Sequence, residues 1–307
     1  FDGMKLLSDS SAKGHAGEVF RVQRVDQLFV VKIARTELSD STRESWQAET
    51  DRIDRASELN LSSLASKWDR PETSLSGYVV MKAADMSLGE AREGSVYSRY
   101  FSSMKYLLDQ SVNLARALYK LSEFGIYCTD LHQENIIISS YGYANDPEWV
   151  LVDFGEGMPR YYSPPEWASS GRVLHPPSIG MVYSYSLLLL ETILLSMGDH
   201  ENLIAPFRPV HHGSTDPSLG LDTEDEVWGT DEIHETDWDS LRALLEAYLQ
   251  QDVQGSWSRR SIEDTSLKLI TFFQKVLNAD PVRRKSKVAN LRQWAEGLKE
   301  ALESLGI

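Results

Sequence analysis

The sequence predicts an α+β fold in two unequal lobes, a small strand-rich one followed by a larger helical one. Two patterns carry this expectation. Through the first ~80 residues apolar positions alternate, as in Glu18-Val19-Phe20-Arg21-Val22 and again from Leu28 to Ile33, and a period of two marks strands. After residue 85 the apolar positions fall at helical spacing, with Leu107, Leu114, Leu118 and Leu121 along one face of a long helix. Lys82-Ala83-Ala84-Asp85 reads as a connector, so the expected division is 1–84 and 85–307.

The elements follow in order. One helix interrupts the first lobe. It places Trp46, Glu49, Ile53 and Ala56 roughly on one face, after Ser39-Asp40-Ser41 as candidate caps. Tyr78-Val79-Val80-Met81 is a short buried strand. In the second lobe Ile136-Ile137-Ile138 and Trp149-Val150-Leu151-Val152 are short apolar strands. Helices are expected at Met181–Met197, Asp239–Gln251, Thr265–Leu277 and Val288–Leu302. No internal repeat is evident. A cleft between two lobes is a common ligand site.

Composition narrows the function classes. The formal net charge is -15, which disfavours nucleic acid and anionic membrane as partners. Ten Asp/Glu and no Lys or Arg lie between Asp216 and Asp239, within an acidic insert at about 200–239. Such a run is a solvated loop or a docking segment for a basic protein partner. The single cysteine, Cys128, permits no intrachain disulfide and points to a reducing, cytoplasmic setting. No signal-peptide pattern is visible. The run Met181–Met197 is shorter than the ~20 residues of a spanning helix and contains Tyr183, Ser184, Tyr185, Ser186 and Glu191, so it reads as a core helix.

Several segments carry chemistry. Lys32 lies inside the apolar stretch Phe29-Val30-Val31-Lys32-Ile33-Ala34, and a buried ammonium is costly unless a partner meets it. The plain alternative is a strand lysine facing solvent. Asp130 is followed five residues later by Asn135 and then by an apolar strand; an ordinary polar turn gives the same local pattern. Val152-Asp153-Phe154-Gly155 ends a strand in a carboxylate and a glycine turn, as a metal ligand facing a cleft requires. Gly14 and Gly17, in Ala12-Lys13-Gly14-His15-Ala16-Gly17-Glu18-Val19, let backbone approach a phosphate without a Cβ in the way, or merely shape a turn.

Taken together, these segments resemble the signature motifs of the eukaryotic-type protein kinase-like superfamily, in order and spacing, over roughly residues 6–300. The resemblance implies a bilobal kinase fold with ATP and Mg²⁺ as cofactors. It implies that Gly14, Gly17 and Val19 belong to the glycine-rich loop, whose first glycine is here Ala12. Lys32, fifteen residues after Gly17, matches the lysine that meets the α/β-phosphates, with Glu49 as its helix partner and Glu44 in reserve. Met81 fits the gatekeeper, and the backbone of Lys82 and Ala84 would meet adenine. Asp130 matches the residue that accepts or orients the hydroxyl proton. Asn135 and Asp153, eighteen positions apart, match the magnesium ligands. Ser163-Pro164-Pro165-Glu166 resembles the motif closing the activation segment. Arg284, in Asp280-Pro281-Val282-Arg283-Arg284, matches the arginine that pairs with its glutamate, here Glu166. Val182–Leu187 resembles the start of the central helix.

Four departures bear on function. Cys128-Thr129 replaces the His-Arg before the catalytic Asp, so switching by loop phosphorylation is not expected. Only eight residues separate Gly155 from Pro164, which shortens the usual peptide platform. His132 replaces the loop lysine; Asp130-Leu131-His132 is similar to aminoglycoside and choline phosphotransferases. His132 would steady the γ-phosphate, although a histidine is only partly charged near neutrality, or it simply packs. Met181 stands where the central helix carries an anchoring Asp, so the catalytic loop must be held in another way. The resemblance therefore implies a phosphotransferase acting on a hydroxyl, first a divergent Ser/Thr protein kinase. A small-molecule kinase, another ATP-dependent transfer such as adenylylation, and a pseudokinase serving as a binding or regulatory module stand beside it.

Overall fold

The computed structural model describes residues 4–6, 12–13, 17–24, 27–34, 40–64, 67–69, 78–82, 86–92, 103–139, 147–154, 162–174, 176–198, 201–207, 210–212, 225–227, 237–251 and 257–305. The chain forms two compact units, one of Phe1–Leu88 with Glu134–Gly155 and one of Gly89–Gln133 with Glu156–Ile307.

The first unit is built on a sheet of β1 (Met4–Leu6), β2 (Ala12–Lys13), β3 (Gly17–Arg24), β4 (Gln27–Ala34), β5 (Lys67–Asp69) and β6 (Tyr78–Lys82). The strands run in the order β1-β3-β4-β6-β5, with β2 also paired to β3. The alternation expected around Val19 and Leu28–Ile33 is that of β3 and β4. Val22, Phe29 and Val31 form a buried cluster with Ile33 packed on it. Lys32, between Val31 and Ile33, belongs to the opposite face, because side chains alternate along a strand. Helix α1 (Asp40–Glu58) starts within the predicted cap cluster and buries Trp46, Ile53 and Ala56 along the predicted face. Strand β6 continues to Lys82, so the first residue of the expected connector is still strand.

The same unit contains a three-stranded sheet, β7 (Met86–Ser87), β8 (Ile136–Ser139) and β9 (Glu148–Leu151), in the order β7-β8-β9. The expected division at residue 84 places this strand pair with the helices. It groups with the N-terminal strands because β7 pairs with β8 and because the Leu151 N–H donates to the Ser63 carbonyl at 3.0 Å. Strand β9 ends at Leu151, and the Val152 N–H still donates to the Asn135 carbonyl at 3.0 Å, the next step of the register that sets Ile136 opposite Leu151.

The second unit is helical. It comprises most of α2 (Leu88–Arg92), then α3 (Met104–Glu123), α4 (Pro165–Ser170), α5 (Ser178–Ser196), α6 (Glu201–Ile204), α7 (Trp238–Gln251), α8 (Arg259–Val276), α9 (Pro281–Lys287) and α10 (Leu291–Leu302). Three helix starts differ from expectation by three residues or more: α5 begins at Ser178, ahead of Met181, and two others shift for local reasons. Helix α8 begins six residues before Thr265, where Ser258 accepts from the Ser261 N–H at 3.1 Å; its polar first turns hide the helix from an apolar pattern. The helix expected from Val288 begins at Leu291, because Val288 ends α9 in an extended conformation and Asn290 caps α10. Within the acidic stretch, Asp225–Val227 forms strand β11 against β10 (Val210–His212), so that part is not simply a solvated loop.

Helix α5 is apolar all round because it is buried all round. By length and composition it is apolar enough to cross a membrane, but 83% of that window lies buried inside the protein. Its polar groups are matched: Tyr185 Oη donates to the Ser111 carbonyl at 2.8 Å, Tyr183 Oη to the Phe207 carbonyl at 3.0 Å, and Trp294 Nε1 to Ser186 Oγ at 2.7 Å. At its first turn Gly180 lies against the Trp167 indole, and a Cβ there would come within 2.2 Å of the ring. Gly180→Ala is expected to destabilise the fold by about 1–3 kcal/mol through overpacking, measured by chemical denaturation. An unchanged midpoint would mean that the Trp167 ring yields freely.

Candidate functional site

The first unit assembles three of the predicted residues. Lys32 Nζ donates to Glu49 Oε1, an ion pair between half-buried side chains. Asp153 Oδ2 lies 3.7 Å from the same ammonium. Burial alone would pull the Lys32 pKa down, but the charges of Asp153 and Glu49 outweigh it and hold the group above the ordinary lysine value. Burial pushes the Glu49 carboxyl up, and the Lys32 ammonium opposes that push. The costly buried lysine of the sequence thus has two carboxylate partners. The reserve partner, Glu44, is exposed on α1 and takes no part.

Backbone pairing fixes how these groups are presented. Lys32 lies opposite Val19 on β3 and Val79 on β6, and Gly17 opposite Ala34. Met81 lies opposite Val30, and Lys82 opposite Phe29. Gly14 and Ala84 lie outside the described residues. Asn135 closes a short turn, Gln133–Asn135, and the bond from Val152 to its carbonyl brings the chain at Asn135 beside the chain entering Asp153. A carboxylate and an amide oxygen are donor types that a hard cation such as Mg²⁺ takes, so these are the residues that could hold one. Asp153 retains about a third of its side-chain surface, so it is open to a ligand while facing Lys32.

One feature of this unit has no counterpart in the sequence reading. Arg52 Nη1 donates to the Phe154 carbonyl at 3.3 Å. Arg52 lies three residues beyond Glu49 on α1, so one helix face reaches both the lysine and the segment that follows Asp153. The i, i+3 spacing carried this signal.

The second unit holds the other predicted pair. Cys128, Thr129 and Leu131 are buried, whereas Asp130 and His132 keep about a third of their side-chain surface. The buried residues anchor the stretch and present the two polar ones. His132 Nε2 lies 3.9 Å from Asp130 Oδ1, beyond direct hydrogen bonding. Glu166 and Arg284 pair as predicted, with Arg284 fully buried. Met181 is buried, and ten residues along the same helix Glu191 accepts from Gln133 Nε2 at 2.8 Å and from Tyr162 Oη. A lone carboxylate within the apolar run of α5 was the available signal for that contact.

No protein-family model matches the chain, and no curated protein matches it by sequence. Solved structures do. The chain is similar to the crystal structure of the Mycobacterium tuberculosis PknI kinase domain, with a TM-score of 0.57 and 16% identity, covering 98% of this chain and 97% of that one. A second crystal structure of the same domain gives 0.54 and 18% identity, covering 100% of this chain and 97% of that one. At such identity the likeness shows a shared fold.

Proposed function

Starting from this protein kinase-like fold, we propose that the chain is an ATP- and Mg²⁺-dependent phosphotransferase that moves the γ-phosphate to a hydroxyl. The observation that carries the reading is Lys32 held between Glu49 and Asp153. A chain that only bound a partner would have no physical need for a half-buried ammonium aligned by two carboxylates. In this reading Lys32 positions the phosphates, and the glycine segment around Gly14 and Gly17 covers them. Asn135 and Asp153 hold magnesium, which neutralises charge on the transferring group. Asp130 orients the acceptor hydroxyl and takes its proton, and His132, two residues on, would steady the γ-phosphate.

The acceptor is a protein Ser/Thr hydroxyl first, on the strength of the Glu166–Arg284 pair and the central helix. The sequence Asp130-Leu131-His132 and the eight residues between Gly155 and Pro164 favour a small-molecule hydroxyl as the second reading. Lys32→Met is expected to lower turnover of Mg·ATP by about 10²-fold, the cost typical of misplaced reacting groups, while thermal unfolding still shows a folded protein. Unchanged turnover in that variant would remove Lys32 from the reaction.

A further inference from the structure

Met181 leaves the central helix without an acid at its start, yet α5 does carry one buried acid. Glu191 is 5% exposed, among Leu187, Leu188, Leu190 and Leu194, which are buried completely or nearly so. A carboxylate at such a position is stable only where hydrogen-bond donors converge on it. Two neutral donors do, and both reach the same oxygen. Gln133 Nε2 donates to Glu191 Oε2 at 2.8 Å, and Tyr162 Oη donates to it as well.

The two donors come from the two segments whose placement matters most for the proposed reaction. Gln133 is three residues after Asp130 and two before Asn135, at the start of the turn Gln133–Asn135. Tyr162 immediately precedes Ser163-Pro164-Pro165-Glu166, and Glu166 is in turn locked to buried Arg284. One carboxylate on a rigid core helix therefore fixes both the stretch that presents Asp130 and the end of the segment that follows Asp153 in sequence.

We infer that Glu191 is a positioning residue that replaces the anchor missing at Met181, holding the Asp130 loop through Gln133 and coupling it to the Tyr162 segment. This rests on the phosphotransferase reading for its effect on turnover, but not for its effect on the loop itself. Gln133→Leu removes the loop's arm and keeps the size of the side chain. Tyr162→Phe removes the other arm by a single oxygen. Glu191→Gln keeps an acceptor oxygen, and Glu191→Leu removes it.

The test reads amide hydrogen exchange by mass spectrometry together with steady-state kinetics. In Gln133→Leu, exchange in peptides covering 126–135 is expected to accelerate about tenfold or more, the effect of losing a hydrogen bond to a charged group, while peptides from α8 and α10 stay as in wild type. Turnover number should fall by about tenfold with KM for ATP unchanged, since the arm lost acts on a transition-state group rather than on nucleotide binding. Glu191→Gln should recover most of what Glu191→Leu loses, and Gln133→Leu should have no additional effect in a Glu191→Leu background. Wild-type exchange in 126–135 for both Gln133→Leu and Tyr162→Phe would overturn the inference. So would acceleration spread evenly over the whole helical unit. If the wild-type protein shows no turnover, the phosphotransferase reading fails by itself, and the exchange pattern still decides whether Glu191 holds the loop.

Discussion

Asp153→Ala is expected to abolish the magnesium dependence of nucleotide binding. Isothermal titration of the wild-type protein with ATP should show affinity rising at least about tenfold on adding Mg²⁺, and the variant should show no such rise. The physical case rests on what Asp153 does twice over. Its carboxylate is the only charged oxygen of the proposed donor set, since Asn135 offers a neutral amide, so nothing in the pair replaces it. It also faces Lys32 at 3.7 Å and helps to keep that ammonium charged against the pull of burial. Losing it leaves Lys32 to Glu49 alone, and nucleotide without metal then meets a cation already satisfied by its helix partner. Equal Mg·ATP affinity in wild type and variant would remove Asp153 from the metal site.

Arg284→Ala is expected to have the largest effect on stability, about 3–5 kcal/mol in urea denaturation, because it leaves a buried carboxylate without its counter-charge. The Arg284 side chain is fully buried, and that of Glu166 keeps 14% of its surface. The guanidinium also donates to the Asn278 carbonyl at 2.5 Å and stacks 5.1 Å from the centre of the Tyr183 ring on α5. Three structural partners thus converge on one side chain, and alanine cannot replace any of them. Arg284→Lys should recover little, since a point charge cannot make the fork of bonds or the stacking contact. A loss under about 1 kcal/mol would put the pair in the class of surface ion pairs, contrary to its burial.

The buried face of α1 could be read from its helical period, whereas the Lys32–Glu49 and Glu166–Arg284 pairs were legible only through the resemblance to kinase motifs; the structure brings each set together. Helix starts were harder to read where polar caps or polar first turns masked the apolar period, as at Ser258 and Asn290. Val152, read as the end of the last strand, lies one residue past β9 yet keeps its register, the N–H donating to the Asn135 carbonyl. The contacts of Arg52 with the Phe154 carbonyl and of Glu191 with Gln133 join residues 102 and 58 positions apart. The carboxylate at a buried position of α5 points to the Glu191 contact, and the i, i+3 spacing from Glu49 to the Arg52 contact.

The most direct test of the central claim is turnover of γ-labelled ATP with Mg²⁺ in lysate of the source organism, comparing wild type with Asp130→Asn. Products are resolved on both a gel and a thin-layer plate. The predicted result is label transfer that falls about 10²–10⁴-fold in Asp130→Asn, the range for loss of a general base, with the label in a protein band for a protein acceptor or in a small spot for a metabolite. Equal labelling by wild type and Asp130→Asn, with both proteins folded, would contradict the account.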